Sequence, residues 1–278
     1  MWIDTHCHLD ATEFDADRDM VVASAHAAGV GHIVIPAVAA WNFERVRHLA
    51  HQYAGCVYAL GIHPMLAPQA TDADLGTLRR EIEASLDDPL FIGVGEIGLD
   101  YFVPGLDAER QMTVYVAQLR LAREFDLPVL LHVRKSQDQV AAQLRKLGVH
   151  AGIAHAFNGS PEQAYRFIAQ GLKLGFGGNM TFSRANRIRR LATELPLDAL
   201  VLETDAPDIA PAWLADDQFG EQGKVRNVPG EVAGIARELA NLRGMSLADL
   251  SRHMQNSSLE ALPRLRAAFC DPSGARDE

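Results

Sequence analysis

The chain has 278 residues, of which 48% are hydrophobic and 22% charged. That supplies one large core or two small ones and excludes bulk disorder. The formal net charge of −10 excludes tight, non-specific nucleic-acid binding through the whole surface, while a small site whose bound cations invert the local field can still take a phosphate substrate.

A short apolar run at residues 2–5 opens the chain, and a helical pattern over 15–28 follows, closed by Gly29. Run 32–38 precedes a helix over 43–52, run 56–61 precedes 74–86, and run 91–95 precedes 108–124. Run 128–131 leads into helix 137–147, with Ser136 placed to cap it and Gly148 to close it. Run 152–154 leads into helix 161–169, where Ser160 offers a cap, Pro161 sits in the first turn and Glu162 lies at the positive end. Run 172–176 precedes helix 183–194, and run 200–204 is the eighth. Helical patterns over 231–241 and 247–262 close a single domain of residues 1–270, and the polar tail 271–278 is expected to fray.

Most of these runs are continuously apolar, as parallel strands buried on both faces are. Eight strand–helix units in about 250 residues predict a (β/α)₈ TIM barrel. The competing open sheet, in its nucleotide-binding form, wants a glycine-rich first turn. Here that turn is His6-Cys7-His8-Leu9-Asp10, without glycine.

Six potential metal ligands fall at the ends of these runs: His6, His8, Glu96, His132, His155 and Asp205. Buried imidazoles and carboxylates are costly unless they share partners or a metal, and a closed barrel brings strand ends from the whole chain to one mouth. Period-two alternation predicts one face for Asp4, His6 and His8, with Cys7 turned away as a packed thiol. Glycines flank Glu96, which suits a carboxylate bridging two cations, and His132 and His155 would pair on the second. Glu203 and Asp205 compete on one face; Asp205 lies nearer the mouth, and Glu203 is left for a basic partner lower down. Histidine with carboxylate suits zinc, iron or manganese better than magnesium. Arg134, with Lys135 beside it, can contact a phosphate. His63 can contact substrate or protonate a leaving group. Lys224 and Arg226 form a basic loop open to a solvent role or a substrate role, and Asn256, Ser257 and Ser258 read as helix surface or cap. Cys7, Cys56 and Cys270 are too sparse for a disulfide framework. No signal peptide or membrane anchor is read at the N-terminus, so a cytoplasmic monomer without an obligatory protein partner is expected.

Taken together, the chain resembles the TatD family of metal-dependent deoxyribonucleases and related hydrolases over nearly its whole length. The resemblance rests on Ile3-Asp4-Thr5-His6-Cys7-His8-Leu9-Asp10, Gly61-Ile62-His63-Pro64 and Gly95-Glu96-Ile97-Gly98-Leu99-Asp100-Tyr101. It continues through Leu131-His132-Val133-Arg134, His155-Ala156-Phe157-Asn158-Gly159-Ser160, Glu203-Thr204-Asp205-Ala206-Pro207 and Arg226-Asn227-Val228-Pro229. Val133 stands where serine is frequent, and Ala156 and Asn158 replace commoner cysteine and serine. The resemblance implies a (β/α)₈ barrel with two divalent ions (zinc, magnesium or manganese). One would be held by His6, His8, Glu96 and Asp205, the other by Glu96, His132 and His155. It also implies Asp205 as general base, His63, Arg134 and Asn227 lining the cleft, and phosphodiester hydrolysis at a DNA end, often the 3′ end. The same site acting on a small ester, lactone or amide, or on an aminoacyl-tRNA ester, is the alternative; a scaffold that keeps metals only for stability is a third reading.

Overall fold

Each of the eight apolar runs forms a strand, and each strand pairs in parallel with the next one in sequence. The computed structural model describes residues 1–214 and 225–270. Its strands are β1 (Trp2–Asp4), β2 (Val30–Pro36), β3 (Cys56–Leu60), β4 (Phe91–Asp100), β5 (Val129–Arg134), β6 (Gly152–Ala154), β7 (Leu172–Phe176) and β8 (Leu200–Leu202). The ring closes between its ends, where Thr5 N donates to Leu202 O at 3.1 Å and Asp205 N to His6 O at 2.8 Å. A parallel bridge between Cys7 and Ala206 lies beyond them. The fold is a (β/α)₈ barrel.

Seven helices fill the crossovers: α1 (Arg18–Ala27), α2 (Phe43–Gln52), α3 (Asp72–Ser85), α4 (Ala108–Glu124), α5 (Gln137–Leu147), α6 (Pro161–Ile168) and α7 (Asn186–Glu194). Helices Val232–Arg243 and Leu247–Ala261 complete the outer layer. No helix among the described residues is long and apolar enough to cross a membrane. Local chemistry sets several starts. Ser160 Oγ accepts from Gln163 N at 3.2 Å while Gln163 Oε1 accepts from Ser160 N at 3.0 Å, a reciprocal cap on α6 whose loss costs about 1 kcal/mol. Ser136 does not cap α5; its buried hydroxyl donates to Leu99 O at 2.6 Å and so ties β5 to β4. Ser257 and Ser258 lie buried inside Leu247–Ala261, and Ser258 Oγ donates to Met254 O at 2.8 Å, so they are neither surface nor cap.

The barrel interior divides along its axis. Its lower half is apolar, built from Ile3, Val34, Val57, Ile92, Leu130, Ile153 and Val201 and plugged from below by Leu262 and Leu265. Two residues further along each of three strands, alternation brings His132, His155 and Glu203 inward, and Asp205 follows Glu203. On these strands polar groups begin where the apolar layer ends, which places the site at the C-terminal face. The segment after β1 breaks the pattern: the strand ends at Asp4, and Ile3, not Asp4, joins the interior layer. Asp4 Oδ1 accepts from Thr204 N at 2.9 Å, and Oδ2 accepts from Thr204 Oγ1 at 2.5 Å. Asp4 therefore leaves the expected common face and holds Thr204, while His6 and His8 stay together.

Candidate metal centre

Strand β4 carries the central carboxylate. It runs five residues past its expected end at residue 95, so Glu96 lies within the strand. Glycine permits this: a Cβ on Gly95 would meet Leu130 Cβ at 2.5 Å, and one on Gly98, at φ +147°, would meet His132 O at 2.0 Å. These glycines admit the neighbouring strand. Gly98 and Asp100 then pair with His132 and Arg134.

The two oxygens of Glu96 face different neighbours. Oε2 lies 3.2 Å from His6 Nε2 and 3.3 Å from His8 Nε2. Asp205 Oδ1 is 3.6 Å and 3.7 Å from the same two nitrogens. Oε1 lies 2.8 Å from His155 Nε2, 2.9 Å from His132 Nδ1 and 3.4 Å from His63 Nε2. The other five expected ligands thus gather around the Glu96 carboxylate, and His63 joins them. His155 sits between the two groups: its ring stacks on His6, centroids 4.0 Å apart, and its Nε2 is also 3.3 Å from His132 Nδ1. Three sets of donor atoms each lie within 4.8 Å of one another: His6, His8 and Glu96; His6, His155 and Asp205; His63, Glu96 and His132.

Electrostatics follow from burying one carboxylate among five imidazoles. Burial works to raise the pKa of Glu96, but His63, His155, His6 and the His132 bond outweigh it and hold the group well below the usual carboxylate range. Burial likewise opposes charge on His155 and His8, yet Glu96 and Asp205 push them up to about 10 and about 9. His6 moves the other way, to about 3, through burial and the charge on His155. Too few anions are present to neutralise every ring, so adjacent imidazoles titrate apart. The donor set fits divalent cations. Imidazole nitrogens converge within 3.3–3.4 Å of one another, His6 on His8 and His155 on His132, and a cation on either side of Glu96 would turn crowded donors into ligands.

Further residues set these groups in place. His132 Nε2 lies 3.0 Å from Asp100 Oδ2, which leaves Nδ1 toward Glu96. Asp100 was not singled out from the sequence, although it shares strand parity with Glu96. Glu203 has no lysine or arginine partner among the described residues. Its Oε1 accepts from Ala156 N at 2.5 Å and lies 4.0 Å from His155 Nδ1. Burial pushes its pKa up to about 8. Only Gly175 gives it room, since a Cβ there would come within 2.1 Å of Glu203 Oε2. Asp205, Ala156, Lys135 and Ile209 have φ of +56°, +44°, +54° and +46°. These are four of the five such non-glycine residues among the described residues, and all four line the cavity above Glu96. Strained backbone of this kind gathers at functional sites.

That cavity has a volume of about 1280 Å³. His63 and Arg134 both line it. Arg134 is 49% exposed, 3.8 Å from Asp100 and stacked 3.9 Å over the Phe102 ring. Lys135 and Arg187 join it on the wall. Arg187 carried no sequence signal beyond being one of several basic residues on α7. One expected cleft group, Asn227, lies elsewhere, and Arg226, left open between solvent and substrate, takes neither role. Asn227 is fully buried, and its Nδ2 donates to Thr204 O and Asp208 O, both at 2.9 Å, so it braces the turn after Asp205. Arg226 forms a two-pronged pair with Asp17 at 2.7 and 2.8 Å. Lys224 and the tail 271–278 lie outside the described residues. Cys7 is a fully buried thiol, as expected, and burial pushes its pKa well up.

Residues 3–262 match the family model described as TatD related DNase. The chain is 38% identical over 258 residues to the uncharacterized metal-dependent hydrolase YjjV of Escherichia coli K12, covering 92% of this chain and 96% of that one. It is 32% identical over 252 residues to the 3'-5' ssDNA/RNA exonuclease TatD of Erwinia amylovora, covering 89% and 94%. The crystal structure of the Escherichia coli YjjV protein superposes with a TM-score of 0.86 at 37% identity, covering 94% of this chain and 98% of that one. The chain belongs to the TatD-related family of metal-dependent hydrolases.

Proposed function

We propose that this protein is a two-metal phosphodiesterase that hydrolyses DNA at strand ends. One observation carries the reading: Glu96 presents Oε2 to His6 and His8 and Oε1 to His132 and His155, the arrangement of a carboxylate shared by two cations. His6, His8, Glu96 and Asp205 would hold one ion; Glu96, His132 and His155 would hold the other. Bound there, such ions supply Lewis acidity and lower the pKa of water. Asp205 stands on the cavity wall with its side chain 13% exposed. Burial raises its pKa against the pull of His155 and His8, the direction that makes a carboxylate a better proton acceptor. His63 lines the same cavity and can donate to a departing oxygen. Arg134, Lys135 and Arg187 favour a phosphate over an uncharged ester, and their short arc favours an end over a long duplex.

The testing experiment is one panel: single-stranded DNA, duplex DNA, RNA, aminoacyl-tRNA and a small carboxylic ester, each with zinc, manganese and magnesium in turn. Metal-dependent release of nucleotides from DNA ends is expected. Turnover of the ester or the aminoacyl-tRNA with no cleavage of any nucleic-acid backbone would replace the proposal with the ester reading.

A further inference from the structure

Eight large hydrophobic side chains stand exposed among the described residues, and three of them line the cavity above Glu96: Trp41, Met65 and Phe102. Exposed apolar residues scattered singly need no account, but three on one polar rim do. They follow consecutive strands. Trp41 comes after β2, Met65 after β3 and Phe102 after β4, so the ring order makes them one arc. Arg134 ends β5, Lys135 follows it and Arg187 follows β7, and these three line the wall next to that arc.

The turns that carry the two aromatic residues of this arc are anchored. Trp41 is 74% exposed, yet the turn beneath it is clamped by fully buried Asn42, whose Oδ1 accepts from Val38 N and Ala39 N, each at 3.1 Å. Asn42 Nδ2 donates in turn to Asp10 Oδ2 at 2.9 Å. Phe102 is 49% exposed, its N–H is held by Asp100 Oδ1 at 2.8 Å, and its ring carries the Arg134 guanidinium. Charge differs between the two stretches of wall as well. Arg45, which lines the cavity with Trp41, is paired at 2.5 Å with Asp15 Oδ1, an oxygen it shares with Arg18. Lys135 and Arg187 have no carboxylate partner among the described residues, and the carboxylate beside Arg134 is 3.8 Å away.

We infer that Trp41 and Phe102 are base-stacking platforms that hold unpaired bases beside the scissile bond, with Trp41 setting the strength of that hold. Exposed aromatic rings on anchored turns, beside cations without a close carboxylate, match the two faces of an unpaired nucleotide chain, bases on one side and phosphates on the other. This assignment rests on the phosphodiesterase reading.

The test uses the metal-loaded protein and two single-stranded tetramers with phosphorothioate linkages, which slow cleavage. One carries four thymines; the other has the same backbone with every base removed. The thymine tetramer should bind more tightly than the abasic one. Trp41→Ala should weaken thymine-tetramer binding roughly 5- to 150-fold, the scale of one lost base–aromatic stack, and leave abasic binding unchanged. Trp41→Phe should keep most of the preference. Equal affinity of the unsubstituted protein for both tetramers, or an undiminished preference in Trp41→Ala, overturns the platforms. If DNA ends are nevertheless cleaved, only the platforms fall. If neither tetramer binds and no phosphodiester is cleaved, the underlying reading falls with them.

Discussion

Asp100 Oδ2 lies 3.0 Å from His132 Nε2, and that contact decides which nitrogen of His132 faces Glu96. The carboxylate fixes the proton on Nε2 and leaves the Nδ1 lone pair for a cation. Burial works against the charge on Asp100, but the bond to His132 and the backbone N–H groups of Val103 and Phe102 bring its pKa down to about 2.

Asp100→Asn should therefore weaken metal binding at the His132 position by about 10- to 100-fold, the range for such supporting partners. Competition with a chromophoric chelator measures it. Because Asp100 Oδ1 also holds the turn at Phe102 and Val103, thermal unfolding of the metal-free variant should be compared alongside. Unchanged metal affinity with a lowered melting temperature would leave Asp100 a turn-holder only.

Glu96→Gln keeps the volume of the side chain but removes the charge and one of its two oxygens. At least one ion per chain should be lost by elemental analysis, and hydrolysis should fall with it. Two ions retained at full occupancy, with turnover unaltered, would show that the cations do not share this residue.

Metal uptake must also expel protons. In the metal-free cluster His8 and His155 titrate near 9 and 10, so at pH 7 both carry a proton on nitrogens the cations need. Affinity should rise with pH from 6 toward 9 and weaken below, because protons compete for the same lone pairs. Calorimetry in two buffers of different ionisation heat should report at least one proton released per chain at pH 7. Uptake with no proton exchange would mean that these imidazoles are not ligands.

The ring of strands was legible because parallel strands buried on both faces leave continuous apolar runs. The gathered ligands were legible because each is polar at the end of such a run. Parity worked for His132, which lies within β5, and for His155, one residue past β6, whereas Asp205 lies three residues past β8 at a φ of +56° and reaches the site through the turn there. It failed after β1, where the chain bends at Thr5 and the alternation lapses. Strand β4 was read short because a strand end was placed at Gly95, whereas the glycines there serve close approach by β5. Asn227 and Arg226 lie in a loop whose partners, Thr204 and Asp17, are distant in sequence. No local pattern shows that one braces a turn and the other pairs with an acid.

Arg134→Ala should raise KM for a DNA end more than it lowers kcat, and it should flatten the salt dependence of binding. The guanidinium is half exposed on the cavity wall, 3.8 Å from Asp100 and stacked on Phe102, where it can meet a phosphate. Kinetics at two ionic strengths separate this from a structural role. An equal loss at both strengths, with KM unmoved, would remove Arg134 from substrate binding.

Asp205→Asn tests the proton acceptor. Asp205 N donates to His6 O at 2.8 Å, and Asn227 braces the turn that follows, so the backbone there is held independently of the side-chain charge. The amide keeps the shape and cannot accept the proton from water. The variant should fold, retain the ion at His132 and His155, and lose turnover by roughly 10²- to 10⁴-fold at saturating metal, the usual span for a general base. A residue that only ligates behaves differently: its loss weakens metal binding, and excess metal restores the rate. Turnover measured against metal concentration separates the two. A plateau far below the unsubstituted enzyme assigns Asp205 the proton, whereas full recovery at saturation leaves it a ligand alone.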